Sequence, residues 1–399
     1  MTLTEDTLRF ITAHSHDDVR SLALQAGKHP LVDMPAALTQ IAGRQTAEIK
    51  IPTWAATEGI LYPPHLSMEQ CSSEVTARYK ASVVAGHEGL HNTLADLTGG
   101  FGIDFSFLAP HFEQATYVER QEVLCEVAQH NFPLLGLEHI RIEQADGVDY
   151  LRRMQPVDWL FLDPARRDGH GSKTVAIADC EPDVSTLESL LLEKAGRVLV
   201  KLSPMLDLAQ ALHTLTHVTE AHLVSAGNEC KELLLLLEQG KDLQPDDVPI
   251  HCINLPTDQP AIVFTRRTEQ EAPCPYTTTL HTYFYEPNAS LLKAGAFRSL
   301  THIYKVEKLH PNSHLYTSDE ALPHFPGRAF HIDSWCGFGK REVKELLGDV
   351  QKANLTIRNF PASVAELRKR FKLAEGGNVY LFATTLADDR KVLIRCSKL

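Results

Sequence analysis

The chain has 399 residues, more than one ordinary hydrophobic core needs, which predicts two to four domains. Its 43% hydrophobic and 23% charged residues are typical of a soluble globular protein, and no apolar run approaches the roughly 18 residues of a membrane span. The N-terminus lacks the basic start and apolar core of an export signal, so we expect a cytoplasmic protein with no membrane partner.

The eight cysteines are scattered and form no C-x-x-C pair, which argues against a disulfide framework and against a structural zinc site. The 20 histidines are spread along the sequence without a close His/Cys cluster. We therefore expect a reducing compartment and no metal.

The net charge of −12 is unevenly distributed. Residues 327–399 contain 14 Lys and Arg against 8 Asp and Glu, a net of +6, which leaves −18 for the rest of the chain. A basic C-terminal module on an acidic body suits the docking of a polyanion. The alternative is that these charges only solvate the surface of a small domain.

Residues 1–84 are predicted to form an N-terminal helical domain. Apolar residues recur at helical spacing on both sides of Pro30, and Asp33 can cap the second helix. A further helix is predicted over residues 69–84, and Ser72 or Ser73 can cap a helix in this segment. This helix either closes over a ligand site or only packs against the next domain.

Residues 85–242 alternate apolar strands with amphipathic helices, which predicts a parallel sheet covered on both faces. Strands are predicted at residues 91–95, 115–119, 139–143, 159–163 and 197–202, followed by an antiparallel hairpin of residues 222–226 and 233–237. Ligands on such sheets lie beyond the carboxyl ends of the strands, where the strand order reverses.

Two small α+β domains are predicted in residues 243–326 and 327–399. Residues 241–275 are polar and proline-bearing, with one strand predicted at residues 261–265. In the last domain, Arg358 lies near Phe360, and Arg368 and Arg370 lie near Phe371. Basic residues beside aromatic ones are compatible with phosphate contact and base stacking, although a solvated helix face explains them equally well.

A glycine-rich turn, Asp96 to Gly102, stands between the end of the first strand and an apolar segment that can form a helix. Glycines let the backbone turn tightly and approach a ligand, and a helix N-terminus offers unpaired N–H groups. Such turns are common, so the prediction depends on the acidic residues that follow.

Two of these acids follow later strands. Glu119 ends the second strand, where a carboxylate can bind both ribose hydroxyls of a nucleoside cofactor; the alternative is an ordinary acid facing water. Asp146 follows the third strand and either accepts an adenine amino group or caps the next helix.

The segment Asp163-Pro164-Ala165-Arg166-Arg167 follows the buried fourth strand. Burial of a carboxylate beside such a strand is costly unless it bonds a ligand. Proline fixes the turn, so that its carbonyl can point at a substrate amine. In the alternative interpretation, Asp163 caps a turn and Arg166 pairs with a neighbour.

Together these residues resemble the class I S-adenosylmethionine-dependent methyltransferases. Asp96-x-x-x-Gly100-x-Gly102 is similar to their motif I, and Asp163-Pro164-Ala165-Arg166 to their D-P-P-Y motif. The segments D-L-T-G-G-F-G-I-D, V-E-R, D-P-A-R-R-D and D-C-E-P-D resemble more closely a bacterial group with a ferredoxin-like segment and a C-terminal THUMP-like domain.

This resemblance implies an α/β fold with a Rossmann-like seven-stranded methyltransferase sheet at residues 85–242. It implies a ferredoxin-like segment at residues 243–326 and a THUMP-like, RNA-binding domain at residues 327–399. It also implies the cofactor S-adenosyl-L-methionine, bound by Asp96, Thr98, Gly99, Gly100, Gly102, Glu119, Asp146 and Asp163.

In amino-methylating relatives, the acidic side chain and the proline carbonyl accept N–H groups of a base's exocyclic amine. Asp163 and Pro164 match this pattern, and Arg166 stands where the family has an aromatic residue. A guanidinium group can stack on a base or hold a phosphate, so RNA remains the expected partner. We expect Asp163, Pro164 and Arg166 to be catalytic, and RNA contacts from Arg166, Arg167, Arg358, Arg368 and Arg370.

The expected function is therefore methylation of an exocyclic amine of a base in rRNA or tRNA. Two alternatives stay open: a methyltransferase of a protein or small molecule, and a non-catalytic RNA-binding protein that keeps the fold. An NAD-dependent oxidoreductase is a weaker rival, because Gly99, Gly100 and Gly102 do not have the G-x-G-x-x-G spacing.

Overall fold

The computed structural model describes residues 3–166 and 176–399. The chain divides into two compact units, Met1–Thr219 with Leu233–Leu243, and Glu220–Glu232 with Gln244–Leu399. Both units combine helices and strands, which confirms the predicted α/β class. Within the described ranges, no helix combines the length and the apolar character needed to cross a bilayer.

The N-terminal part of the first unit is helical, as predicted. Its helices are α1 (Glu5–Ala13), α2 (Val19–Ala23), α3 (Met34–Lys50), α4 (Pro52–Ala56), α5 (His65–Gln70) and α6 (Glu74–Ala85). Two predicted caps are confirmed: Asp33 accepts the N–H of Ala36 at 3.2 Å, and Ser73 accepts the N–H of Thr76 at 3.4 Å. Each cap satisfies an N–H group that the first helical turn leaves unpaired.

Alternating strands and helices follow. They are β1 (Thr93–Asp96), α7 (Ile103–Leu108), β2 (Gln114–Glu119), α8 (Glu122–Leu134), β3 (Ile140–Gln144), α9 (Gly147–Arg153), β4 (Val157–Leu162), β5 (Ala165–Arg166), β6 (Cys180–Glu181), α10 (Val184–Lys194), β7 (Ala195–Leu202), α11 (Leu208–Thr214), β8 (Val218–Ala226) and β9 (Glu229–Glu238). The first strand starts at Thr93 rather than at the predicted His91 and includes Asp96.

In the first unit the parallel strands run in the order β3-β2-β1-β4-β7, and residues 233–238 of β9 pair antiparallel with β7. The chain moves outward from β1 through β2 to β3 and then returns to the other side of β1 at β4. The strand order therefore reverses between β1 and β4, which is where ligands bind in open α/β sheets. Strands β4, β7 and β9 are nearly continuous apolar runs because both of their faces are buried.

The turn of the predicted hairpin lies in the second unit. Gly227 and Asn228 follow β8 and precede β9, and their φ angles of 59° and 63° suit a two-residue turn. Residues 221–226 of β8 pair in parallel with β10 (Ile250–Leu255), which pairs antiparallel with β11 (Ile262–Phe264). The sequence pattern missed β10, because its polar residues His251 and Asn254 interrupt the apolar run.

The rest of the second unit builds one seven-stranded sheet in the order β13-β14-β12-β15-β18-β17-β16. Its elements, together with the preceding helix, are α12 (Arg266–Glu271), β12 (Tyr283–Pro287), α13 (Ala289–Ala294), α14 (Ser299–Tyr304), β13 (Glu307–Lys308), β14 (Tyr316–Ser318), β15 (Gly327–Gly337), α15 (Lys340–Leu347), β16 (Lys352–Ile357), α16 (Val364–Phe371), β17 (Ala374–Thr385) and β18 (Lys391–Lys398). Strand β12 pairs with β15, and Phe284 packs against Phe330 and Phe382. Residues on both sides of position 327 therefore share a sheet and a core.

Candidate active site

The glycine turn is packed so closely that side chains are excluded. A Cβ atom on Gly99 would lie 2.2 Å from the Tyr117 ring, and one on Gly102 would lie 2.8 Å from the Phe132 ring. Gly100 and Gly102 also adopt φ angles of 56° and 88°, which favour glycine. Packing therefore requires glycine at positions 99 and 102, whereas the nearest neighbour of a Cβ atom on Gly100, apart from the adjoining residues, would be the Thr98 carbonyl oxygen at 3.8 Å, so the backbone is bare there.

Glu119, at the end of β2, is held by the turn. Its Oε2 accepts the N–H of Gly100 at 2.9 Å, and its Oε1 accepts the N–H of Gln121 at 2.8 Å. The residue is only 8% exposed, so it does not face bulk water. Carboxylate oxygens have further lone pairs, and Glu119 can still accept hydrogen bonds from a ligand.

Asp96, at the end of β1, is buried below the turn. Its Oδ1 accepts the N–H of Thr98 at 2.9 Å. Burial raises the pKa of the Asp96 carboxyl well above its usual range, and the negative charges of Asp104, Asp163 and Glu119 raise it further. Asp96 thus shapes the turn through Thr98.

Asp163 follows β4, at the switch point of the sheet, where the strand order reverses between β1 and β4. Its N–H donates to the Thr98 hydroxyl at 2.6 Å, and Lys201 donates to its Oδ2. Burial raises the pKa of the Asp163 carboxyl, and the Lys201 ammonium partly offsets that rise. The side chain is 37% exposed, so a substrate can reach it.

Asp163 is linked through Lys201 to a network of charged side chains that sequence patterns did not predict. Asp104, in the first turn of α7, lies 3.1 Å from the Lys80 ammonium and 3.6 Å from that of Lys201, and it accepts the hydroxyl of Ser72 at 2.7 Å. Burial alone would raise the pKa of Asp104, but the two lysines lower it overall. The sequence signal that could have indicated this network was Lys201, a charged residue in the apolar stretch of β7.

Asp146 caps α9, which is one of its two predicted roles. Its Oδ1 accepts the N–H groups of Val148 at 2.9 Å and Asp149 at 3.1 Å. The next residue, Gly147, packs so closely that a Cβ atom would lie 2.1 Å from the Leu97 carbonyl oxygen. Asp146 therefore lies beside the glycine turn.

The structure thus brings Asp96, Glu119, Asp146 and Asp163 to the carboxyl ends of four adjacent parallel strands. Pro164 is buried directly after Asp163. The backbone of Ala165 and Arg166 pairs with that of Glu181 and Cys180, whereas Arg167 lies outside the described residues.

The arginines predicted to bind RNA in the second unit have structural partners. Arg358 and Arg328 both bind Glu286, whose side chain is 3% exposed. Arg368 donates to the Ala353 carbonyl at 3.2 Å, and Arg370 lies over the Phe338 ring at 5.4 Å. Of the three predicted arginines, Arg370 is the exposed one.

This arrangement fits a nucleoside ligand. The bare turn offers a surface for close approach, Glu119 offers acceptors for hydroxyl groups, and Asp163 offers a reachable acceptor beside them. The acidic side chains around the turn favour a cationic ligand over an anionic one.

Comparison with known proteins gives a consistent result. Residues 283–326 match a ferredoxin-like domain family, and residues 327–398 match a THUMP domain-like family. Along its whole length the chain is similar to the crystal structure of a putative methyltransferase from Porphyromonas gingivalis W83, with 37% identity, a TM-score of 0.86 and 100% coverage of both chains. No curated protein matches the sequence.

More distant structures resemble only part of the chain. M. capricolum TrmK in complex with S-adenosyl-homocysteine shares 9% identity at a TM-score of 0.31, over 41% of this chain and 69% of its own. A rRNA methylase from Streptococcus thermophilus shares 16% identity at a TM-score of 0.31, over 41% of this chain and 94% of its own.

Proposed function

Because the chain belongs to the bacterial group of class I S-adenosylmethionine-dependent methyltransferases with a ferredoxin-like segment and a C-terminal THUMP-like domain, we propose that it methylates an exocyclic amine of a base in RNA. The observation that carries the proposal is the Asp163-Pro164 turn, which lies at the switch point beside the bare glycine turn.

The cofactor in this proposal is S-adenosyl-L-methionine, which supplies an activated methyl group on a sulfonium centre. Glu119 would accept the ribose hydroxyls, and the backbone of Gly99, Gly100 and Gly102 would approach the ligand closely. Asp96 would hold Thr98 in place, and Asp146 would lie on the adenine side. The fit rests on the bare turn and on the buried Glu119 carboxylate.

Asp163 and the Pro164 carbonyl would accept the two N–H groups of the substrate amine and so orient its lone pair. Lys201 favours the ionised form of Asp163 and occupies Oδ2, which leaves Oδ1 for the amine. Little acid–base chemistry is needed, and alignment of the reactants contributes up to about 7–11 kcal/mol in favourable cases.

The second unit supports RNA as the substrate. Residues 327–398 match a THUMP domain-like family, and residues 327–399 carry a net charge of +6. Arg166 and Arg167 follow the Asp163-Pro164 turn in sequence and could contact a base or a phosphate.

The test is transfer of a labelled methyl group from S-adenosylmethionine to total cellular RNA, followed by identification of the labelled nucleoside. We expect label in an amino-methylated nucleoside, and a loss of at least about 100-fold in Asp163→Ala, because that variant removes an acceptor aimed at the reacting amine. The exposed Asp349→Ala is the matched control and should transfer like wild type.

Other outcomes contradict the proposal. Label in protein or in a small molecule but never in RNA would establish a different substrate. RNA binding without transfer by a chain that binds S-adenosylmethionine would leave the fold without this activity.

A further inference from the structure

Three side chains that are distant in sequence meet in the second unit. Glu220 and His222 lie two residues apart on β8, so they point to the same face of the strand. His251, on the parallel strand β10, is directly opposite His222 in the register. The backbone of two hydrogen-bonded strands therefore fixes all three positions.

The polar atoms of this His-Glu cluster, Glu220, His222 and His251, converge. Oε2 of Glu220 lies 3.1 Å from Nε2 of His222 and 3.8 Å from Nε2 of His251. The two imidazole rings are stacked, with centroids 4.5 Å apart and an interplanar angle of 16°. One oxygen and two ring nitrogens thus surround a single point.

These distances suit metal coordination. The candidate ligand atoms all lie within 4.8 Å of one another. Two ligands of one tetrahedral zinc ion, each about 2.0–2.2 Å from the metal, lie roughly 3.3–3.6 Å apart. Small side-chain rotations would therefore bring all three donors into the first coordination sphere.

The environment of the cluster allows an ion to enter. The side chain of His222 is 4% exposed, whereas those of Glu220 and His251 are each 26% exposed. Two ligands at the surface give access from water, and the buried ligand anchors the site. The fourth coordination position would face solvent, as in open two-histidine, one-carboxylate sites.

We propose that Glu220, His222 and His251 bind one divalent transition-metal ion of the zinc class. Imidazole and carboxylate ligands together favour zinc or a neighbouring transition metal over magnesium or calcium, which prefer oxygen ligands alone. The ion links β8 to β10 in the second unit. This inference does not depend on methyl transfer.

His281 also lies close to two carboxylates, but its donor atoms do not converge on one point as a metal site requires. His281 binds Glu307 through Nε2 at 2.7 Å and Asp319 through Nδ1 at 3.0 Å. The two nitrogens of one imidazole ring point in different directions, so these carboxylates cannot share an ion with it. The exposure of His281, 23%, is close to that of His251, which makes it a matched control.

The test is titration of the metal-free full chain with Zn²⁺ against a chromophoric chelator. We expect one tight equivalent in wild type, at least tenfold weaker binding in His251→Gln and Glu220→Gln, and unchanged binding in His281→Gln. Since an ion that binds only the folded chain stabilises it, Zn²⁺ should raise the melting temperature of wild type and of His281→Gln, but not of the other two variants.

Co²⁺ offers an independent readout, because a low-coordinate histidine and carboxylate site gives visible absorption that should vanish in His251→Gln. Absence of a stoichiometric Zn²⁺ equivalent in wild type, or equal affinities for wild type and His251→Gln, would overturn the proposal. Circular dichroism of each variant establishes that it is folded, and Glu220→Gln retains the test if His251→Gln is not.

Discussion

Asp96 and Asp163 end neighbouring strands, yet their surroundings differ. Asp96 is buried and accepts hydrogen bonds from the backbone N–H and the hydroxyl of Thr98, whereas Asp163 is partly exposed and is bound by Lys201. Burial therefore disfavours ionisation of both carboxyl groups, and the Lys201 ammonium partly offsets this effect at Asp163. At the scale of single residues, Lys201 and Asp96 give two separate predictions.

Substitution of Lys201 by Met should lower the rate of methyl transfer at neutral pH and move the acid limb of the pH–rate profile upward by about 1 unit or more. The reason is that the Lys201 ammonium lowers the pKa of Asp163, so its loss leaves a larger protonated fraction. Lys201→Arg should return the acid limb most of the way to its wild-type position. An acid limb that stays in place in Lys201→Met would show that Asp163 ionisation does not control the reaction.

Asp96→Asn should become more stable relative to wild type as pH rises. The fold raises the pKa of Asp96, so this group contributes stability below its unfolded pKa of about 3.9, and that contribution is lost as pH rises through the folded pKa. Asparagine cannot ionise and keeps an acceptor for the N–H of Thr98. Urea unfolding between acid and neutral pH measures the difference.

The exposed Asp349→Asn serves as the control for Asp96→Asn and should show no such trend. Parallel stability curves for wild type and Asp96→Asn would contradict the assignment of a raised pKa to Asp96.

At the scale of elements, the glycine turn is the least replaceable part of the site. It packs against β2 through Tyr117, against α8 through Phe132 and against the start of α9 through Gly147. The Tyr117 hydroxyl also donates to the Gly100 carbonyl. Three elements thus fix the turn without any ligand, which is the preorganisation that a binding site needs.

Gly147→Ala tests this packing without a change of backbone conformation, because the new Cβ would meet the Leu97 carbonyl oxygen at 2.1 Å. We expect a loss of stability of about 1–3 kcal/mol and weaker binding of S-adenosylmethionine, since the turn must shift. Gly27→Ala, with no atom within 4 Å of its Cβ, should be nearly neutral. Calorimetric titration and thermal unfolding measure both effects, and equal cofactor affinity in the two variants would refute the role of the packing.

At the scale of the whole molecule, the basic residues of the C-terminal region fall into two groups, those that pair with a buried carboxylate and those that are exposed. Arg358 and Arg328 neutralise the buried Glu286, so their loss should act on stability. Lys369 and Arg370, on the exposed side of α16, are available for phosphate contact. A basic surface is thus partly structural and partly free to bind a polyanion.

The double variant Lys369→Ala with Arg370→Ala should weaken RNA binding and reduce the slope of log affinity against log salt by about 1.4, or about 0.7 for each lost contact with single-stranded RNA. Arg9→Ala with Lys28→Ala removes the same charge from exposed residues of the first unit and should leave the slope unchanged. Filter binding at several salt concentrations measures both. Equal slopes in the two double variants would reject a phosphate contact at α16.

Much of the fold was predictable because its signals are local. The apolar runs of β4 and β7, the caps Asp33 and Ser73, and the hairpin turn at Gly227 and Asn228 depend on residues within a few positions of each other. Strand β10 was missed since its burial is decided by neighbouring strands, not by its own alternating pattern.

The sequence by itself determined the α/β class and the succession of acids after strands, because strand periodicity and turn chemistry are written in consecutive residues. It also pointed to Asp163-Pro164 through a known motif. Only the tertiary structure decided that Lys201 and Asp104 stand behind Asp163, and that His251 meets His222 and Glu220. Ion pairs and ligand clusters depend on which strands become neighbours, and that pairing joins residues far apart along the chain.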